Sequence, residues 1–126
     1  MEKKIIKTNE APAPIGPYNQ ATQFGNFLFV SGQVPIDPKT GKLKNGSIEE
    51  ETQMVMENVE AVLKAAGMGF EHVLKSTIFI MDMQQFSVIN EIYGRYFKEN
   101  APARETVQVA ALPLGARVEI SVIAAK

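Results

Sequence analysis

The clearest hydrophobic periodicity along the chain lies between residues 47 and 67. Apolar side chains recur there three and four residues apart, at Val55, Val59, Val62, Leu63 and Ala66. This spacing is typical of one buried face of an α-helix. Ser47, followed three residues later by Glu50, forms a capping-box pattern, and Gly67 is a common helix stop. We predict a first helix between these limits.

A second helical pattern follows Asp82, which has Gln85 three residues later as a capping partner. Its apolar stripe consists of Phe86, Ile89, Tyr93, Tyr96 and Phe97. The stripe ends near Asn100 and Pro102, where the proline disfavours helical backbone in the residue before it. We therefore predict a second helix that continues almost to residue 100.

Alternating or continuous apolar runs predict strands in the remaining sequence, at residues 3–8, 21–24, 27–31, 73–81, 104–110 and 116–124. Gly25 and Asn26 suit a two-residue hairpin turn between the second and third strands. The run at 73–81 is apolar enough to be a central strand. A stiff, proline-rich loop at 11–17 leads to Tyr18, and a second hairpin or loop is expected at 37–41.

This order of elements predicts one α+β domain, residues 1–126, with both helices on one face of a mixed sheet. The strand at 27–31 is apolar on both of its sides. Phe27 and Phe29 share one side, and Leu28 and Val30 share the other. Because two helices cover only one face of a sheet, we expect the opposite face to be buried against other copies of the chain.

Composition narrows the classes of function. The 126 residues include 13 basic and 14 acidic side chains, so the net charge of -1 gives no field that would attract nucleic acid. The absence of cysteine excludes disulfides and thiolate chemistry. No apolar run approaches the ~20 residues of a membrane helix. The first residues lack the pattern of a signal peptide, and we expect a cytoplasmic protein without a membrane partner.

Two of the three arginines lie on predicted strands. Arg117 shares one side of the last strand with Glu119, and Arg104 shares one side of the preceding strand with Thr106. We expect these polar sides to meet at a subunit interface. If the two strands form a hairpin, Thr106 lies opposite Glu119, and Arg104 becomes a diagonal neighbour of that glutamate. An intervening strand is the alternative, and the pattern leaves both arrangements open.

Residue types alone favour an ordinary Arg–Glu ion pair over a catalytic pair. Ser31 and Gly32 could supply a nucleophile and an amide donor, but no general base is identifiable, so a turn or backbone-approach role is favoured. Tyr18 and Asn90 suit structural hydrogen bonds. No phosphate-binding glycine motif is present, and the single histidine, His72, has no second histidine for a metal, so neither cofactor nor metal is indicated.

Several short motifs are nevertheless arranged in a specific order over nearly the whole chain. They are Gly16-Pro17-Tyr18, the segment 31–35 (Ser-Gly-Gln-Val-Pro) with Asp37-Pro38 and Thr40-Gly41, Asn90, Pro102-Ala103-Arg104, and the segment from Leu112-Pro113 to Val118-Glu119-Ile120. Together they resemble the reactive intermediate deaminase (Rid/YjgF) family. The resemblance implies a chorismate-mutase-like fold, with a six-stranded mixed sheet and two helices on one face. It also implies a homotrimeric barrel with three sites in the clefts between subunits.

The resemblance also implies roles for individual residues. Arg104 matches the arginine that holds the substrate carboxylate, and Glu119 matches the glutamate that positions water. Five further residues match substrate-binding positions: Tyr18, Ser31, Gly32, Asn90 and Thr106. Gly32 and Thr106 are expected to contribute backbone groups. Some members of the family carry cysteine where this chain has Thr106, so a catalytic thiol is excluded here.

The implied activity is hydrolysis of reactive 2-imino or enamine acids, such as 2-iminobutanoate and 2-iminopropanoate, to 2-keto acids and ammonia. A planar guanidinium can bind the carboxylate through two hydrogen bonds while Glu119 directs water onto C2, without metal or cofactor. One alternative is a non-catalytic module that binds carboxylate metabolites or acts as a chaperone. Another is a ribonuclease, which the near-neutral charge and the lone His72 disfavour.

Overall fold

The computed structural model describes residues 1–126. Its regular elements, in chain order, are β1 (Lys4–Ile6), β2 (Ala21–Phe24), β3 (Phe27–Gln33), α1 (Ile48–Ala65), β4 (Val73–Ile80), α2 (Phe86–Gly94), β5 (Ala103–Gln108) and β6 (Val118–Ala125). The six strands form one sheet in the order β1-β2-β3-β6-β4-β5. Only the pair β4–β5 is parallel, so the sheet is mixed. The predicted α+β class, the six-stranded mixed sheet and the two helices are confirmed.

Helix α1 begins and ends where its sequence signals lie. The backbone N–H of Glu50 donates to Ser47 Oγ at 3.1 Å, which satisfies one of the free amides of the first turn. At the other end, Gly67 adopts a φ of 72°, and the amide of Met68 donates to the carbonyl of Leu63. The helix packs its buried face against β3 and β6.

Helix α2 is shorter than predicted, because it ends at Gly94. Beyond that residue the amides of Arg95, Tyr96 and Phe97 each donate to the carbonyl three residues earlier. This tighter turn keeps Tyr96 and Phe97 beside Phe70, with ring centroids 5.1 and 5.3 Å away. The apolar stripe is therefore continuous, although the α-helix is not.

The two faces of the sheet differ in their cover. The face toward the helices holds the core, with Leu28, Ile78, Ile80, Val118 and Ile120 at 0–1% exposure. On the other face of the hairpin β2–β3, Phe24, Phe27 and Phe29 remain about half exposed. Phe24, Phe27 and Phe29, which we call the open-face phenylalanines, thus leave an apolar surface that this chain does not cover.

The connections between strands are mostly those predicted. Gly25, at a φ of 59°, and Asn26 form the hairpin turn between β2 and β3. The segment 37–41 is a turn that is closed by one isolated bridge between Ile36 and Leu43. Neither helix combines the length and apolarity that crossing a membrane requires.

Of the two arrangements left open for β5 and β6, the structure has the intervening strand, because β4 lies between them. Thr106 pairs with Ile78 of β4, and Glu119 pairs with the next residue, Phe79. Paired side chains share a face, and successive side chains alternate, so Thr106 and Glu119 lie on opposite faces of the sheet. Arg104 shares the face of Thr106. Arg104 and Glu119 of one chain are therefore not neighbours on a common polar face.

Candidate active site

A cavity of about 370 Å³ opens between the proline-rich loop and the start of the segment 31–34. Its polar wall contains Tyr18, Ser31, Gly32 and Glu119, and its apolar wall includes Ile15. Four of the residues predicted for the site are thus brought together by the fold. None of the other three lines this cavity.

The proline-rich loop is held in place by Gln20, which is 4% exposed. Its side-chain amide donates to the carbonyls of Thr8 and Pro12 at 3.0 and 2.9 Å, and its side-chain oxygen accepts from the amide of Thr8 at 2.7 Å. The loop in turn carries Tyr18. Gln20 was not among the predicted site residues, since a single glutamine beside a strand has no distinctive pattern.

Ser31 fastens the same loop to β3. Its hydroxyl donates to the carbonyl of Asn19 at 2.6 Å, and its amide donates to the carbonyl of Gln20 at 2.9 Å. Because the hydroxyl proton is already engaged, only the oxygen lone pairs of Ser31 remain for a ligand. This geometry suits a residue that shapes the cavity and does not suit a nucleophile.

Glu119 is the acidic side chain of the cavity, and it is half-buried. Burial raises the pKa of its carboxyl group above the ordinary value. Glu119 forms no salt bridge that would hold it ionised. A carboxylate whose pKa is moved toward neutrality is a better proton acceptor for bound water than an ordinary surface glutamate.

The remaining predicted residues form a second group, between β5 and α2. Arg104 Nη1 donates to Asn90 Oδ1 at 2.7 Å. Its guanidinium carbon lies 5.1 Å from the ring centroid of Tyr93 and 5.6 Å from that of Phe86. Arg104 has no carboxylate partner, so its positive charge is free to bind an anion. Thr106 lies two residues further along β5, with its hydroxyl buried and unpartnered.

Tyr93 and Phe86 were predicted only as parts of an apolar helix stripe. The signal that could have revealed them is Asn90, a polar residue four positions after Phe86 and three before Tyr93. Residues with this spacing share one helix face. Burial raises the pKa of the Tyr93 hydroxyl, so this ring is neutral beneath the arginine.

The two groups lie on opposite faces of the sheet within one chain. The cavity with Glu119 has a proton acceptor but no basic side chain in its lining, and the Arg104 group has a cation but no acidic side chain in contact. Each group thus supplies what the other lacks. Within one chain, a small ligand therefore cannot contact both Arg104 and Glu119.

Comparison with known proteins places the chain in a family. The family model described as endoribonuclease L-PSP matches residues 8–126. The mouse protein 2-iminobutanoate/2-iminopropanoate deaminase is 48% identical over 122 residues, which are 97% of this chain and 90% of the mouse protein. The solved structure of YyfA from Yersinia pestis, a Rid-family protein of unknown function, has a TM-score of 0.97 and 48% identity, and covers 99% of this chain and 100% of that one.

The solved structure of TdcF from Escherichia coli with bound serine has a TM-score of 0.94 and 40% identity, and covers 98% of each chain. Family model, sequence and structure thus agree over almost the full length. The chain belongs to the reactive intermediate deaminase (Rid/YjgF) family, whose sequence model carries the description endoribonuclease L-PSP.

Proposed function

We propose that this protein hydrolyses reactive 2-imino acids and their enamine tautomers, such as 2-iminobutanoate and 2-iminopropanoate, to 2-keto acids and ammonia. The observation that carries the proposal is the unpaired guanidinium of Arg104, held by Asn90 and two aromatic rings. Its mouse relative is named for this activity. Neither metal nor cofactor is required by the mechanism below.

Arg104 binds the substrate through its carboxylate. Asn90 accepts from one Nη1 hydrogen, which leaves other N–H groups of the planar guanidinium for two parallel hydrogen bonds. These bonds fix C2, the carbon next to the carboxylate, in one orientation. The TdcF relative was solved with serine, an amino acid whose α-carboxylate has this same chemistry.

Glu119 serves as the proton acceptor for the attacking water. The water oxygen bonds to C2 as the Glu119 carboxylate takes one water proton, and the C=N electron pair moves to nitrogen, which receives that proton from Glu119. In the resulting carbinolamine, Glu119 takes the hydroxyl proton and passes it to the amino group, so that the C–N bond breaks, ammonia leaves and C2=O forms. Because imines also hydrolyse unaided, positioning and one proton-transfer group, worth roughly 10²- to 10⁴-fold, are sufficient.

The site is completed by a second copy of the chain. Arg104 and Glu119 lie on opposite faces of one sheet, while the open-face phenylalanines leave an apolar surface suited to contact between copies. The homotrimer implied by the family resemblance provides such clefts. In this arrangement one subunit supplies Arg104, Asn90 and Thr106, and its neighbour supplies Glu119, Gly32 and Tyr18.

The activity is tested by adding the protein to an amino-acid oxidase reaction that releases imines and measuring keto-acid formation and semicarbazide trapping. Wild type should speed keto-acid formation and lower trapping, and Arg104→Ala should abolish both effects. Arg95→Ala is the matched control, because Arg95 is exposed and pairs only with Glu91. Equal activity of wild type and Arg104→Ala would refute the proposal.

The shared cleft is tested by mixing subunits of Arg104→Ala and Glu119→Ala and allowing them to reassemble. Each variant alone should be inactive. In randomly mixed trimers about one quarter of the clefts combine an intact Arg104 with an intact Glu119 from the neighbour, so about a quarter of wild-type activity should return. If both residues acted within one chain, no cleft would regain activity.

The same experiments decide between this proposal and the two alternatives. Binding of 2-keto acids that depends on Arg104, without faster imine hydrolysis, would indicate a carboxylate-binding module. The family description raises ribonuclease activity, and cleavage of RNA that is lost in Glu119→Ala would make that activity part of the same site. Cleavage that survives in both variants would belong to another site.

A further inference from the structure

Three residues of one face of α2 surround the guanidinium of Arg104. Phe86, Asn90 and Tyr93 are four and three positions apart, so their side chains line up along the helix. Asn90 accepts a hydrogen bond from the guanidinium, and the two rings lie within cation–π distance of its central carbon. The guanidinium thus has a hydrogen bond along its edge, to Asn90, and aromatic contacts with Phe86 and Tyr93.

We propose that Tyr93 and Phe86 are positioning residues, which hold the Arg104 guanidinium in the orientation that binds a substrate carboxylate. The inference rests on the proposed function, because it assigns a role to Arg104 in ligand binding. Neither aromatic residue needs to touch the substrate. Their contribution is to fix a long side chain that otherwise samples many rotamers.

Aromatic rings suit this task because they attract a cation without neutralising it. A carboxylate partner would occupy the hydrogen-bonding edge that the ligand needs, as Glu51 does for Arg117. The ring of Tyr93 stays uncharged, since burial raises the pKa of its hydroxyl. The guanidinium is therefore held in place while its positive charge remains available.

Unpartnered hydroxyls around Arg104 support the view that this region is a binding site and not ordinary core. Ser76, which pairs with Arg104 in the β4–β5 ladder, is fully buried, and its hydroxyl has no hydrogen-bond partner. The buried hydroxyls of Tyr93 and Thr106 also lack a partner in hydrogen-bond geometry, although Ser76 lies near enough to Tyr93 to lower the pKa of its hydroxyl. Buried hydroxyls without such partners are rare in a packed core, so the three mark a polar region around β4, β5 and α2.

The proposal is tested by measuring Kd for 2-oxobutanoate and for its neutral analogue 2-oxobutanamide with the full protein. Tyr93→Leu and Phe86→Leu should each raise Kd for the acid by about two- to thirtyfold, the range expected for one cation–π contact. Kd for the amide should change little, because it has no carboxylate. Tyr93→Phe should restore most of the affinity for the acid, since it keeps the ring.

Tyr96→Leu is the matched control, because Tyr96 contacts Phe70 and not Arg104. Phe86 is only half-buried, so Phe86→Leu keeps the test decisive if Tyr93→Leu fails to fold. Unchanged Kd in both leucine variants, with binding lost in Arg104→Ala, would overturn the positioning role and leave the proposed function intact. An equal loss for acid and amide would also overturn it. Full binding by Arg104→Ala would instead refute the proposed function.

Discussion

The Glu119 carboxylate lies directly against the α-carbon of Gly32. A β-carbon placed on residue 32 would be 2.0 Å from Glu119 Oε2 and 2.8 Å from its Cδ, closer than such atoms can approach. The β3–β6 ladder changes register between Val30 and Gln33, at this same place. A side chain at residue 32 would therefore displace the Glu119 carboxylate, which lies in a recess at the irregular part of the ladder.

We expect Gly32→Ala to lower the rate of imine hydrolysis by about 10²-fold, because a displacement of about 1 Å at a reacting group has effects of this size. The measurement is kcat in the oxidase-coupled assay. Gly94→Ala is the matched control, since a β-carbon there meets nothing within 4 Å, and its activity should equal that of wild type. Wild-type kcat in Gly32→Ala would show that the position of Glu119 does not limit the reaction.

The raised pKa of Glu119 predicts a pH dependence of the reaction. If its ionised form accepts the proton of water, the enzymatic rate should fall as pH drops through this raised pKa. Glu119→Gln should lower kcat by about 10²- to 10⁴-fold and remove this acidic limb. The pH–rate profiles of both proteins, corrected for unaided hydrolysis, provide the test. The same acidic limb in both would assign it to another group.

The same raised pKa also predicts how the free energy of unfolding changes with pH, in the opposite direction to that of a salt-bridged carboxylate, whose pKa is lowered. The folded state holds the Glu119 proton more tightly than the unfolded state, so stability falls as pH rises from the unfolded pKa through the folded one. Above both values, Glu119→Gln should be more stable than wild type, and below both the difference should vanish. Thermal unfolding at several pH values, at one chain concentration, measures this difference.

Local patterns predicted the elements well, because each depends on residues close in sequence. The cap at Ser47 and the turn at Gly25 are set by short-range geometry. The order of strands depends instead on long-range pairing, and no local pattern indicated that β4 separates β5 from β6. The apolar character of β4 marked it as central but did not identify its neighbours.

Alternation along β5 separates Arg104 and Thr106 from Val107, and the expectation that the polar side meets a subunit interface puts Val107 under the helices. This expectation is wrong for β5, because Val107 is 41% exposed and Arg104 lies beneath α2. The usual preference for apolar side chains under a helix is thus reversed at this edge of the sheet, where we propose that Arg104 binds a ligand. The rings of Phe86 and Tyr93 were likewise assigned to the core, because periodicity cannot distinguish a ring packed in the core from one under a cation.

The open-face phenylalanines lead to a prediction about the assembly of several copies of the chain. Phe29 is 47% exposed on this face, and Phe29→Glu would place a charge in the proposed contact between copies. We expect a smaller particle by light scattering, with loss of imine hydrolysis, because each proposed site combines residues of two copies. Met83→Glu is the control, since Met83 is comparably exposed but lies in the turn before α2. An unchanged particle mass for Phe29→Glu would exclude this face from the contact.

The ion pair between Arg117 and Glu51 makes the strongest prediction about stability. Glu51 is fully buried in the first turn of α1, and both Arg117 Nε and the Arg117 backbone amide donate to its carboxylate. Removing the arginine leaves a buried carboxylate without its partner, at a cost of about 3 kcal/mol, near the lower limit for such pairs because Arg117 is partly exposed. Urea unfolding of Arg117→Ala, at a fixed chain concentration, should show this loss.

The double variant Glu51→Leu, Arg117→Met separates the charge from the packing at the junction of α1 and β6. Apolar residues of similar volume often replace a buried ion pair with little loss of stability. The double variant should therefore recover most of the free energy of unfolding that Arg117→Ala loses. The pair lies outside the cavity that contains Glu119, and the folded double variant should keep its imine hydrolysis. A cost below about 0.5 kcal/mol for Arg117→Ala would mean that the pair behaves as a solvated surface contact, and the junction would then be held by apolar packing alone.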